Sequence, residues 1–165
     1  MAGAKDVILS QLQTGQFLID QFTPDLSDEE YFEIPVAGAN HAAWLMGHLA
    51  VSEDGLTAAA TGGAKIFPDT THEKFRGGST CHADASKFPS RREIDEMFKR
   101  SRAHTVEALQ AFDERRWGDP SPKEMSQELF PTLGAIWTLQ GTHQFWHIGH
   151  LTVCRAALKK ARKLM

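Results

Sequence analysis

The chain has 165 residues, of which 41% are hydrophobic and 24% charged, and its net charge is −3 with histidine neutral. This is an ordinary globular composition, long enough for one domain over 1–165 with a full core. The acidic balance excludes the basic footprint of a nucleic-acid-binding domain. No apolar run approaches membrane length, and the opening Met1-Ala2-Gly3-Ala4-Lys5-Asp6 has no signal-peptide segment, so a protein outside the membrane and in the cytoplasm is expected. Cys81 and Cys154 form no CxxC pair, and two free thiols are the simpler expectation, a disulfide being left open. The one dense basic run, Arg155, Lys159, Lys160, Arg162 and Lys163, reads as a cationic helix end, favourable with the helix dipole.

Taken in order, residues 3–22 read as an amphipathic helix with Ile8, Leu12, Gly15, Ile19 and Phe22 on one face. Ser27-Asp28-Glu29-Glu30 is a capping box that opens a short helical turn. Asn40 is the expected N-cap of a second long helix over 40–61, with an inner stripe of His41, Trp44, Leu45, His48, Val51, Leu56 and Ala59. Gly62-Gly63 stops it. Residues 62–89 form a connection longer than usual between helices, which implies that it covers something or contacts a partner. Ser90-Arg91-Arg92-Glu93 is the clearest capping box and starts a third helix over 91–112, with Ile94, Phe98, Ser101, Leu109 and Phe112 near one face. After a loop over 113–120, Ser121-Pro122-Lys123-Glu124 predicts a short helix to about residue 130. Pro131-Thr132 opens the fourth long helix, 133–163. No strand pattern and no repeat stand out. The economical architecture is therefore an all-α four-helix bundle with a long connection between helices 2 and 3. That connection leaves room for a crossover, with helices 2 and 3 parallel.

The fourth helix carries His143, His147 and His150. At about 100° per residue, His143 and His147 lie roughly 40° apart, one turn apart in height, and His150 falls roughly 20° from His143. Two imidazoles so placed reach one small cation. A third ligand must come from a facing helix, and His48, mid-helix on the inner stripe of the second helix, is the natural candidate. Three protein ligands leave a position open for water or substrate, as in catalytic sites. The competing reading is a half-buried pair hydrogen-bonded to backbone or water. Zinc, nickel and iron all suit such a ligand set.

Other residues carry blander expectations. Trp44, Trp137 and Trp146 are expected to pack the core. Glu53 and Asp54 are expected on solvated surface, with a general-base role as the alternative. His41, at a helix start, is expected to cap or to face solvent. His72, Cys81, His82 and Asp84 are metal-capable but match no zinc template. Gly77-Gly78 gives a flexible turn and no phosphate loop.

Asn40-His41-Ala42-Ala43-Trp44-Leu45-Met46-Gly47-His48-Leu49 and His143-Gln144-Phe145-Trp146-His147-Ile148-Gly149 resemble two motifs of the DinB-like superfamily of damage-inducible, YfiT-type bundles. Phe75-Arg76-Gly77-Gly78-Ser79 is similar to that family's glycine-rich loop between helices 2 and 3. The resemblance implies a three-histidine metal site on His48, His143 and His147 inside a four-helix bundle. It departs at His150, where members usually carry glutamine. Three roles stay open for His150: an extra ligand, a group beside the site such as a proton shuttle, or polar filling of the pocket. The last two are favoured.

The activity implied by the resemblance is a metal-dependent hydrolase or a thiol-dependent S-transferase. Its substrate would be a small molecule, with a low-molecular-weight thiol as partner. The rival expectation is a non-catalytic metal-binding module, stress-linked or interacting. The family also implies a homodimer, for which the sequence shows no decisive coiled-coil heptad.

Overall fold

A computed structural model describes residues 3–161. It contains α1 (Ala4–Phe22), α2 (Asp28–Tyr31), α3 (Ala42–Thr61), α4 (Asp69–Phe75), α5 (Arg91–Ala111) and α6 (Leu133–Ala157), with short 3-10 turns at Ala85–Lys87 and Glu114–Arg116. Among the described residues there is no strand, only an isolated bridge between Pro120 and Thr132. No described helix is long and apolar enough to cross a membrane.

Cross-helix contacts give the topology. Glu53 meets Arg102 and Thr57 meets Thr105, so α3 and α5 advance together and are parallel. Going up α3 from His48 to Thr57, the partners on α6 descend from His147 to Gln140, so that pair is antiparallel. Gln11 lies against Gly141 and the Phe22 carbonyl accepts from Arg155, so α1 runs parallel to α6. The order is up, down, down, up. The crossover that this requires is the 62–89 connection, whose length leaves room for it.

Both predicted capping boxes form, at Ser27 with Glu30 and at Ser90 with Glu93. The α1 stripe of Ile8, Leu12, Gly15, Ile19 and Phe22 is buried as expected, and so are the α5 positions. Apolar side chains pack in two clusters. One surrounds Trp44, Leu45, Phe75, Phe98 and Leu151, the other Leu12, Leu109, Ile136 and Trp137. Between them lies a buried polar layer. The Arg102 guanidinium donates to both Glu53 carboxylate oxygens, to the Leu12 carbonyl and to Gln144 Oε1. Gln140 Nε2 donates to Thr57 Oγ1 and to the Glu53 carbonyl. All four long helices contribute, so the layer ties their relative heights together.

Several expectations are corrected. Glu53 and Asp54 are buried, not solvated. Each has a dense set of donors that compensates for lost water: Arg102 for Glu53, and the Ile66 and Phe67 amides with His72 Nε2 for Asp54. Trp44 and Trp137 are in the core, but Trp146 is 72% exposed, because its position on α6 faces away from α1 and α3. No helix forms over 121–130. Instead Ser121 N donates to the Pro131 carbonyl and Leu133 N to the Asp119 carbonyl, closing the segment into a loop. Within it, Gln127 Nε2 donates to the Ser121 hydroxyl and to the Pro122 and Met125 carbonyls, in competition with helical pairing. The second long helix starts one residue later than expected, with His41 rather than Asn40 as N-cap; of the two roles expected for His41 the structure shows capping, and the residue is buried rather than facing solvent. On the same helix Thr57 and Ala60 are buried where Leu56 and Ala59 are only partly so. The last helix ends at Ala157; of the basic run, Arg162 and Lys163 lie outside the described residues.

Candidate metal centre

His48 on α3 and His143 and His147 on α6 come together. Their ligand-capable nitrogens lie within 4.8 Å of one another, the sole such group of three or more among the described residues. His143 Nε2 and His147 Nε2 are 3.0 Å apart. The rings of His48 and His147 have centroids 4.6 Å apart, and those of His48 and His143 5.2 Å.

The orientation of His48 is set by its other nitrogen. Nδ1 lies 2.7 Å from the Phe75 carbonyl. A carbonyl only accepts, so Nδ1 carries the proton and Nε2 is left as a lone-pair donor toward the other two rings. Trp44, one turn earlier, stacks on the His48 ring at 4.9 Å and 7°. Its indole Nε1 donates to Ser79 Oγ, whose hydroxyl donates to the Lys74 carbonyl. The 62–89 connection thus covers the centre and grips it twice, through Phe75 and Ser79. The start of α3 is pinned from the same side. His41 Nδ1 accepts from Trp44 N, which leaves Nε2–H to donate to the His82 carbonyl.

Gly47 explains how Phe75 gets so close. A methyl at Gly47 would overlap the Phe75 ring. Gly47→Ala is expected to push Phe75 and its carbonyl off His48 and to weaken metal affinity about 10–100-fold, the usual cost of losing a group that orients a ligand. A chelator-competition titration checks this; unchanged affinity would remove Phe75 from the site.

The three imidazoles are built to stay neutral, which is the ligating form. Burial and then the nearby His48 ring pull His143 down to about 4. Burial, followed by His143, His48 and His150, pulls His147 down to about 3. Burial also lowers His48, against the Phe75 carbonyl, which raises it. Three neutral lone-pair donors facing one point, with no carboxylate among them, fit a divalent transition metal and not a hard calcium-type ion.

His150 is exposed, and its ring is 5.5 Å from that of His147, outside the converging group. The metal-capable residues of the long connection do not assemble. His72 bonds Asp54, Asp84 caps its own 3-10 turn, and Cys81 Sγ accepts from His41 N. Both cysteines are free. Sequence reasoning missed Gly47, the Phe75 carbonyl and Ser52, whose hydroxyl is 3.4 Å from His48 Nε2. A glycine in the middle of a helix beside a ligand was the available signal for the first two.

The family model of the DinB superfamily matches residues 11–151. The chain belongs to the DinB superfamily. No curated protein matches this DinB-superfamily chain. Among solved structures it is similar to a conserved protein from Enterococcus faecalis, with a TM-score of 0.67 and 16% identity, covering 95% of this chain and 96% of that one. At that identity the likeness shows the fold alone: an all-helical bundle over nearly the whole length of both chains.

Proposed function

We propose that this DinB-superfamily protein is a metal-dependent enzyme. His48, His143 and His147 hold a divalent zinc, nickel or iron ion, and the reaction is hydrolysis or the transfer of a low-molecular-weight thiol to a small electrophile. One observation carries the enzymatic reading: three protein donors converge, and the groups able to close the coordination sphere are directed elsewhere. Glu53, the nearest buried carboxylate along α3, is turned onto Arg102, and His150 stands outside the group. Three ligands with an open position is the pattern of catalytic rather than structural sites.

A divalent cation held by His48, His143 and His147 would supply Lewis acidity, making a water or thiol easier to deprotonate near neutral pH. The Phe75 carbonyl keeps the His48 proton on Nδ1. Trp44 and Phe75 shield one side from water. His150, exposed and one turn beyond His147, is placed to take the proton released from the incoming water or thiol. The two free thiols support a reducing, cytoplasmic setting.

The test is turnover by protein loaded separately with zinc, nickel or iron, assayed against activated esters and against a thiol plus a chloroarene electrophile. Metal-dependent turnover that falls at least about 100-fold in His150→Ala, with metal content unchanged, is expected. Metal that raises the melting temperature but supports no turnover on either substrate class would leave a non-catalytic metal-binding module.

A further inference from the structure

Ser52 stands on α3 one turn after His48, as Trp44 stands one turn before it. Helical hydroxyls in this chain ordinarily bond back into their own helix, as serine and threonine commonly do. Thr14, Thr61, Thr138 and Thr142 each donate to the carbonyl four residues earlier, at 2.8 to 3.0 Å. Ser52 does not follow them. Its half-buried hydroxyl turns instead to the ring of the residue four earlier, and its one hydrogen bond among the described residues is to His48 Nε2, at 3.4 Å.

The Phe75 carbonyl fixes who donates. It keeps the His48 proton on Nδ1, so Nε2 accepts and the Ser52 hydroxyl gives the proton. At 3.4 Å the bond is longer than an ordinary hydroxyl bond, and the proton is weakly held. Ligation of an ion uses the same Nε2 lone pair. A His48 that ligates therefore stops accepting from Ser52, and the hydroxyl proton is set free beside the ion. The other polar side chains nearby are committed: Glu53 to Arg102, and Gln144 to Arg102 and the Gln11 carbonyl.

We infer that Ser52 is the hydrogen-bond donor to a thiolate that takes the position the three histidines leave open. The inference rests on the metal-dependent reading above and narrows it. Ser52 favours ligands that still carry a lone pair once they are bound. A thiolate keeps lone pairs on its sulfur, whereas a ligated imidazole keeps none. A hydrogen bond to an ionised acceptor is roughly twice as strong as one between neutral groups, so the preference is large enough to measure. Trp44, on the other side of His48, offers no rival donor, because its Nε1–H is held by Ser79. Of the two residues that flank His48 along α3, one shields the ring and the other supplies a proton to the bound ligand.

The full chain loaded with cobalt(II), whose visible absorption reports on its ligands, tests this by titration with 2-mercaptoethanol and, separately, with imidazole at one pH. Ser52→Ala, a substitution that suits a helix, should weaken 2-mercaptoethanol at least about 10-fold, the size of a hydrogen bond to a charged group. Imidazole affinity should stay unchanged in the same variant. Ser52→Thr keeps the hydroxyl and should recover most of the thiol affinity. Cobalt affinity itself, read by chelator competition, should not fall in Ser52→Ala, because the bond removed competes with the ion for Nε2. Equal weakening of both ligands, or loss of cobalt alone, would make Ser52 a residue that shapes the site or holds His48, and overturns the assignment. Unchanged thiol affinity in Ser52→Ala overturns it too, and leaves the metal-dependent reading standing. Wild-type protein that binds cobalt but neither added ligand has no open position, and that result overturns both.

Discussion

Purified His147→Ala is expected to retain less than about a hundredth of the wild-type metal affinity, with His48→Ala and His143→Ala behaving alike. Loss of a group that merely orients a ligand already costs 10–100-fold, and each of these changes removes a ligand itself. Elemental analysis after gel filtration reads the result as a fall from about one ion per chain to a trace. Metal undiminished in these variants would contradict the ligand set. The same centre has a distinctive pH dependence. Ligand nitrogens must be unprotonated to bind, and protons compete only below the apo-protein pKa values. With His143 at about 4 and His147 at about 3, retention is expected to be flat from pH 8 to about 5 and to collapse below about pH 4. An exposed histidine pair would already release its ion near the ordinary imidazole pKa of about 6.5.

Arg102→Ala is expected to be the most destabilising single change outside the centre. It removes every guanidinium contact of the polar layer and leaves the Glu53 carboxylate buried without its counter-ion. Breaking a buried pair on one side costs about 3–5 kcal/mol. For a chain of this size that is a fall of roughly 6–20 °C in melting temperature, read by calorimetry. Replacing both partners, as Glu53→Leu with Arg102→Met, should recover most of the loss, because two well-packed apolar groups carry no uncompensated charge. The pH dependence has a defined sign. Burial raises the Glu53 pKa above its ordinary value, in opposition to Arg102, which lowers it. The folded state therefore holds that proton more readily than the unfolded one. The Glu53 contribution to stability falls as pH rises from the unfolded value through the folded one. Without Arg102 the folded pKa moves further up, so Arg102→Ala is most damaging above that range and least damaging in acid. Equal destabilisation at pH 4 and pH 8 would contradict this account.

The sequence made the helices and the histidines legible for local reasons. Capping boxes at Ser27 and Ser90, the α1 stripe and the spacing of His143 and His147 involve residues within one or two turns of each other, where the backbone geometry is known in advance. Errors cluster where distant groups decide. Glu53 and Asp54 look like surface residues until Arg102, forty-nine positions along, and the Ile66 and Phe67 amides are brought to them. Trp146 looks like core because aromatics usually are, yet α6 has more apolar surface than its neighbours cover. The 121–130 segment starts like a helix but is closed into a loop by contacts at its two ends.

By itself, then, the amino-acid order determined an all-helical chain, the two histidine-bearing helices and an unusually long connection between the second and third long helices. Periodicity and capping are properties of neighbouring residues. Tertiary structure alone decided that α3 and α5 run parallel, that the Phe75 carbonyl and Ser79 orient the centre from the crossover, and that Trp146 on α6 is left exposed. These depend on which surfaces meet, and that follows from packing four helices around one polar layer rather than from any single stretch of chain.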